Sequence, residues 1–277
     1  MPRLKKYLGK ALIVMVLLLV VVMTVYPLLW MLSGSLKDNQ EFYSNLWGPP
    51  AVFRWSNYVN AWRRAGIAGK AVNSVIVFVF SLLVIIPCVS FAAYAIARVE
   101  FKGKKTIYTY LLLGLCMPTG VLAIPIFATA LQYDMVNTLR GMIFFGSAQC
   151  MAFGTYLLRS FFITLPKGLE EAAMVDGCSR LQSFIYVILP LAKPGMMTLV
   201  VLDGVTIWNE YLLANILIST DKYMTLPFGL KSFADKYVTD YPQLFAALVI
   251  VTIPILIIYA FAQRSFIEGM TAGSVKQ

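Results

Sequence analysis

Four stretches of this chain, residues 11–36, 71–97, 106–133 and 241–263, run without a single charged side chain. Each exceeds the roughly 20 apolar residues that a helix needs to cross a bilayer. A further stretch, 141–158, continues through Arg159 into Phe161-Phe162-Ile163, so it can span with its arginine near an interface. The last, fifth in chain order, runs from 195 to 219 and is apolar except for Asp203 and Glu210. In lipid such segments must be helical, because backbone groups find no other partners. With 60 % hydrophobic residues against 13 % charged, the 277-residue chain cannot present an ordinary soluble surface. The sequence therefore predicts an all-α polytopic membrane protein of six transmembrane helices, about 11–31, 71–97, 106–131, 141–163, 195–219 and 242–263. Pro27, Pro87, Pro118, Pro125 and Pro254 fall inside these spans and predict bends. Arg3, Lys5, Lys6 and Lys10 before an apolar run resemble a signal peptide, but the run is too long and no A-x-A site follows, so a retained first helix is expected.

Charge placement orients the spans. With the N-terminus in the cytoplasm, the inner segments hold fourteen Lys and Arg against five acids and the outer segments nine against six. The excess of +10 thus sits mainly inside, as the positive-inside rule requires, and needs no nucleic acid to explain it. Both termini are expected in the cytoplasm, as a basic segment 1–10 and a tail 264–277, in a multi-pass membrane protein. The external loop 32–70 contains Trp55, Tyr58, Trp62, Arg63 and Arg64, a mix suited to an amphipathic segment on the outer headgroups.

Composition removes several chemistries. Without histidine there is no Ser-His-Asp triad, His-ligated zinc or imidazole-bound haem. No GxxxxGK[ST] occurs, so the chain has no P-loop, and any ATP it depends on is hydrolysed by another subunit. Cys88, Cys116, Cys150 and Cys178 have no CxxC spacing, and neither a disulfide nor a metal site is expected. No catalytic residue and no cofactor are assigned to this chain.

The most informative stretch is the loop 166–194. Its first part, Leu169 to Val175, consists of strong helix formers and stops at Asp176-Gly177, where glycine can close a helix. Ser179 with Gln182 three residues on is a capping-box signature, and Leu181, Phe184, Ile185, Ile188 and Leu189 follow at helical spacing. Pro190 and Pro194 then mark a bend into the next span. A helix-turn-helix elbow is expected on the cytoplasmic side, its Asp-Gly corner projecting as a docking knob.

These residues carry a resemblance. Glu171-Ala172-Ala173, then Asp176-Gly177, then Phe184, Ile188 and Leu189-Pro190 resemble the EAA loop of permease subunits of bacterial ATP-binding-cassette importers. The segment from Gln263-Arg264-Ser265 through Glu268-Gly269 to Lys276 is similar to the tail of the carbohydrate branch, of the maltose permease kind, as are Trp208-Asn209-Glu210 and Asn73-Ser74. The resemblance implies the type I importer permease fold, with 71–263 as its core. It also implies that Glu171, Ala172, Ala173, Asp176 and Gly177 form a coupling helix seated on a partner ATPase. The implied partners are a second permease subunit, most simply in a heterodimer, a cytoplasmic ATP-binding subunit dimer, an extracytoplasmic sugar-binding protein and membrane lipid. The outer loop of about 221–240, with Tyr223, Phe228, Phe233 and Tyr237, would face the binding protein or form an interfacial aromatic belt.

Asp203 and Glu210 are two helical turns apart and costly at bilayer depth, so their face should line the bundle interior or a wet cavity. With Thr206, Trp208 and Asn209 they offer the hydrogen-bonding groups and aromatic plane that sugars require. The alternative is that such groups hold helices or subunits together. Asp203 departs from the family pattern, where an uncharged residue is usual. Two other functions stay open: a permease for a non-sugar solute such as glycerol phosphate, or an intramembrane enzyme using Asp203 and Glu210. On one straight helix those carboxyls lie about 10 Å apart along the axis, too far to share a proton.

Overall fold

A computed structural model describes the backbone of residues 2–233 and 240–274 and the side chains of 9–231, 233, 240–260 and 263. The side chains expected to define the tail, and Tyr237 of the outer loop, lie outside the described residues. The described chain is helical and divides into two compact units, 1–67 with 230–252, and 68–229 with 253–277.

In the first unit, helix α1 (Pro2–Ser35) contains the first expected span, and its apolar side chains from Leu12 to Leu29 are exposed. An unbroken apolar surface of that length fits lipid, not water. The loop beyond it is built around a buried cation. Lys37 is fully buried, and its ammonium donates to the carbonyls of Asn45 (2.5 Å) and Gly48 (2.7 Å). Asp38 caps helix α2 (Asn39–Ser44), and the backbone N–H of Glu41, followed by the charge of Arg54, holds its carboxyl below the usual range. Helix α3 (Ser56–Arg64) is the expected amphipathic segment, with Trp62 exposed on one side and Asn57 and Ala61 buried on the other. Trp30 and Phe42 stack with Tyr241 and Phe245 of the final helix.

The second unit holds α4 (Ile67–Arg98, all but its first residue), α5 (Lys104–Leu115), α6 (Ala123–Gln132), α7 (Leu139–Thr164), α8 (Lys167–Val175), α9 (Arg180–Leu191), α10 (Lys193–Trp208) and α11 (Leu212–Leu217). Its core runs along α4, α7, α9 and α10, through Ile85, Val89, Leu158, Phe162, Phe184 and Leu199. The last helix, α12 (Tyr241–Ser274), extends the sixth expected span beyond 263.

Among the described residues four helices are long and apolar enough to cross a membrane, α1, α4, α7 and α12, and the bent pair α9–α10 adds a fifth if counted as one span. Two expected helices differ. The span 106–131 is not one helix: α5 ends at Leu115 and α6 starts at Ala123, with turns between. Pro118 lacks an amide hydrogen and disfavours helix at Met117, and Gly120 follows two residues later, so the expected bend is a break. The span 195–219 is likewise interrupted after Trp208, where the Glu210 carboxylate accepts a hydrogen bond from the Leu213 amide (2.7 Å) and starts α11.

Candidate functional site

The elbow forms as its sequence indicates. Helix α8 closes in a Schellman turn: the Cys178 amide donates to Ala173 (3.0 Å), the Gly177 amide to Met174 (3.2 Å), and Gly177 sits at φ +92°. Ser179 and Gln182 then make the capping box of α9 reciprocally. The corner is thus fixed from both sides. It exposes Glu171, Ala172, Asp176 and Gly177, with Val175 at 86 % accessibility, while Ala173 turns inward. Met174, Leu181 and Tyr186 are exposed around it, an apolar rim more typical of a contact surface than of a solvated loop.

What anchors the elbow is a set of residues that, Phe184 apart, the motif does not contain. Glu170, one position before the motif, is buried, and its carboxylate accepts a hydrogen bond from the Tyr94 hydroxyl on α4. The Tyr94 ring lies 4.4 Å from that of Phe184 on α9, and Phe162 packs edge-on against both. One turn along α4, Arg98 donates to the carbonyls of Phe162 (2.6 Å) and Leu165 (2.5 Å), which satisfies the end of α7. Movement of α8 is therefore tied to α4, α7 and α9. Glu170 was legible in principle, because it lies three residues before Ala173 on the inward face.

After α9 the chain turns by 72° into α10, at Ala192 between Pro190 and Pro194. A π-helical turn at Phe184–Ile188 precedes the bend. The five residues singled out around this helix do not gather at one place. Thr206 and Glu210 line a narrow cleft of about 10 Å³, room for a water, with Gln149, Cys150, Met142 and Val77, contributed by α4, α7 and the end of α10. Asn209 is exposed at the α10 terminus. Trp208 is buried, edge-on to Phe78 at 6.1 Å. Asp203 is 2 % exposed, turned toward Gly154 of α7, and its Oδ2 has no hydrogen-bond partner.

Gln149 and Thr119 carried no signal in the sequence, being uncharged residues inside apolar intervals. The Gln149 amide donates to the Thr119 hydroxyl in the break between α5 and α6. Gln149 also lines a second cleft of about 390 Å³ with Thr119, Met117, Leu122, Ile126 and Phe145. The break between α5 and α6 and both clefts thus meet at one side chain. Near the other end of the unit, Asn73 donates to the carbonyls of Lys222 and Met224 (both 2.9 Å), the Ser74 hydroxyl accepts from the Leu226 amide (2.8 Å), and Lys70 pairs with Asp221 (2.8 Å). The start of α4 therefore holds the segment 221–229 in place.

Known proteins are similar to this chain in sequence and in fold. The chain is 34 % identical over 99 % of its length to the probable ABC transporter permease protein YurM of Bacillus subtilis, covering 91 % of that protein. It is 35 % identical to the diacetylchitobiose uptake system permease protein NgcG of Streptomyces coelicolor, over 92 % of this chain and 84 % of that one. The melibiose/raffinose/stachyose import permease protein MelC of Bacillus subtilis is 32 % identical over 90 % of this chain and 91 % of its own. In three dimensions the fold matches a chain of a bacterial ABC transporter involved in the import of the acidic polysaccharide alginate, with TM-score 0.78 and 24 % identity over 91 % of this chain and 94 % of that one. With the family model for the binding-protein-dependent transport system inner membrane component matching residues 65–271, the chain belongs to that family of ABC transporter permease subunits.

Proposed function

We propose that this subunit forms half of the transmembrane pathway for a carbohydrate, most simply an oligosaccharide, and couples it to a separate ATPase through the elbow 166–194. The observation that carries the coupling is the construction of the elbow: a rigid, exposed corner tied by Glu170 and Tyr94 to the core helices. A load applied to such a corner moves the helices behind it as a body. Membership in a family of transport components, not enzymes, sets the intramembrane enzyme aside, and Glu210 uses its carboxylate to cap α11 while Asp203 is buried against α7.

The substrate class is supported by relatives named for import of diacetylchitobiose and of melibiose, raffinose and stachyose. Thr206, Gln149 and Glu210 offer donors and acceptors in the cleft, and a carboxylate there suits neutral hydroxyls better than the phosphate of glycerol phosphate. ATP is consumed by the partner. The assembly contains a second permease, an ATP-binding subunit dimer and an extracytoplasmic binding protein, and a solved relative is described in complex with a periplasmic protein carrying an alginate pentasaccharide. The exposed start of the segment 221–229, Asp221 and Lys222, held by Asn73, is a surface for that binding protein, whereas Phe228 is buried and contributes nothing to it. Both termini are cytoplasmic, with six crossings in which the 106–131 and 195–219 segments each span despite their breaks.

Uptake of radiolabelled oligosaccharides by cells expressing the full set of subunits tests the reading. Uptake should require this chain and ATP. Uptake of glycerol phosphate but of no oligosaccharide would overturn the substrate class. A cytoplasm-active reporter fused after Lys276 should be active with six crossings and silent with five.

A further inference from the structure

Arg159 lies near the end of α7. Its guanidinium carbon lies 4.1 Å from the centroid of the Tyr108 ring, its Nε is buried without a hydrogen-bond partner, and no ion pair reaches it among the described residues. It lines a cleft of about 390 Å³ with Tyr108, Thr106, Lys104, Lys105 and Glu100. Of the charged groups there, Glu100 and Lys104 neutralise one another at 2.8 Å, a contact that also keeps the Glu100 carboxyl below its usual range. Lys105 and Arg159 are left with two positive charges and no acid. The cleft opens over the first turn of α5, where the helix end favours an anion further.

A second cleft, of about 400 Å³, shares Lys105 and Thr106 with the first and runs along α5 past Thr109, Tyr110 and Leu113. Tyr110 is 77 % exposed and Leu113 59 % exposed, on a helix that begins a membrane-embedded interval. A cationic pocket at a helix start, continuous with an apolar groove along that helix, has the shape and chemistry of a phospholipid and not of a soluble anion.

We infer that Arg159, Lys105 and Thr106 bind the phosphate of an anionic phospholipid headgroup, with one acyl chain lying along Thr109, Tyr110 and Leu113. The acyl-chain placement rests on the proposed crossing by 106–131, and the assignment to the cytoplasmic leaflet on the proposed orientation. Tyr108 holds the guanidinium plane from one side and leaves its other edge for the phosphate. A zwitterionic headgroup carries the same phosphate but brings a compensating cation toward Lys105.

The test uses the assembled transporter, purified through a tag on this chain and stripped in neutral detergent. Phosphatidylglycerol and phosphatidylcholine are added in equal amounts and retained lipid is counted by native mass spectrometry. Phosphatidylglycerol should be preferred, about fivefold of its retention should be lost with Lys105→Gln, and about 25-fold with Lys105→Gln and Arg159→Gln together, at roughly 1 kcal/mol per cation. Arg159→Lys should retain more than Arg159→Gln, and Arg140→Gln, which is remote from the cleft, should change nothing. If the double variant does not assemble, the exposed Lys105→Gln alone decides. Equal retention of both lipids, or undiminished retention in Lys105→Gln, overturns the inference. So does displacement by inorganic phosphate, which would mark a soluble-anion site, or loss of the ATP-binding subunit with lipid retention unchanged, which would mark a protein-docking surface. Retention is read without transport, so its failure leaves the coupling reading untouched.

Discussion

The hydroxyl of Tyr94 on α4 donates to the carboxylate of Glu170 on α8, and the pair is buried. Because Glu170 immediately precedes the exposed Glu171-Ala172 corner, this contact is a link between a surface that another subunit can push and a helix of the core. Tyr94→Phe keeps the ring and its stacking on Phe184 but leaves a buried carboxylate without its donor. A loss of about 1–3 kcal/mol is expected. In the assembled transporter, ATP hydrolysis should persist while uptake per ATP falls, measured as the ratio of the two rates.

Gly177 is a separate test of the same corner. At φ +92° a side chain is strained, yet nothing lies within 4 Å of where its Cβ would be. Gly177→Val should therefore cost about 1–2 kcal/mol locally without a clash. Membrane insertion, checked by protease protection, should be normal and oligosaccharide uptake strongly reduced. Normal uptake would show that the corner's shape does not matter.

The close approach of α7 and α10 depends on Gly154. A Cβ there would lie 2.8 Å from Leu199 Cδ1 and 3.1 Å from both Asp203 Oδ2 and Val89 Cγ1. Gly154→Val should destabilise by about 1–3 kcal/mol. Thermal unfolding of the purified complex measures it, and an unchanged midpoint would contradict the packing.

Asp203 and Glu210 should separate cleanly. Asp203 is buried outside the cleft with an unpartnered oxygen, so Asp203→Asn removes a source of desolvation cost and should leave stability unchanged or raised, with uptake within about twofold of the parent. Glu210 lines the cleft and caps α11, so Glu210→Gln should lower uptake. A large loss of uptake in Asp203→Asn, with thermal stability intact, would return Asp203 to the pathway.

These residues also mark where the sequence stops being informative. The elbow was readable because its signals are local: a glycine that closes a helix, a serine and glutamine three apart, and prolines at a bend. The Glu170–Tyr94 contact joins residues 76 positions apart, and no spacing rule reaches that far. Two-turn spacing places Asp203 and Glu210 on one face, an inference that holds for an unbroken helix; the interruption after Trp208 releases Glu210 from it. Pro118 is visible as a bend, but whether a proline bends or breaks a membrane helix depends on what satisfies the freed backbone, here the turns in which the amides of Val121, Leu122 and Ala123 donate to the carbonyls of Pro118, Thr119 and Gly120.

The central claim is that the corner at 174–177 receives the ATP-driven movement. A photocrosslinking amino acid in place of the exposed Val175, activated in native membranes, tests it most directly. The account predicts a crosslink to the ATP-binding subunit whose yield changes when non-hydrolysable ATP analogue is added. Crosslinks to lipid alone, with the assembled complex present, would contradict it.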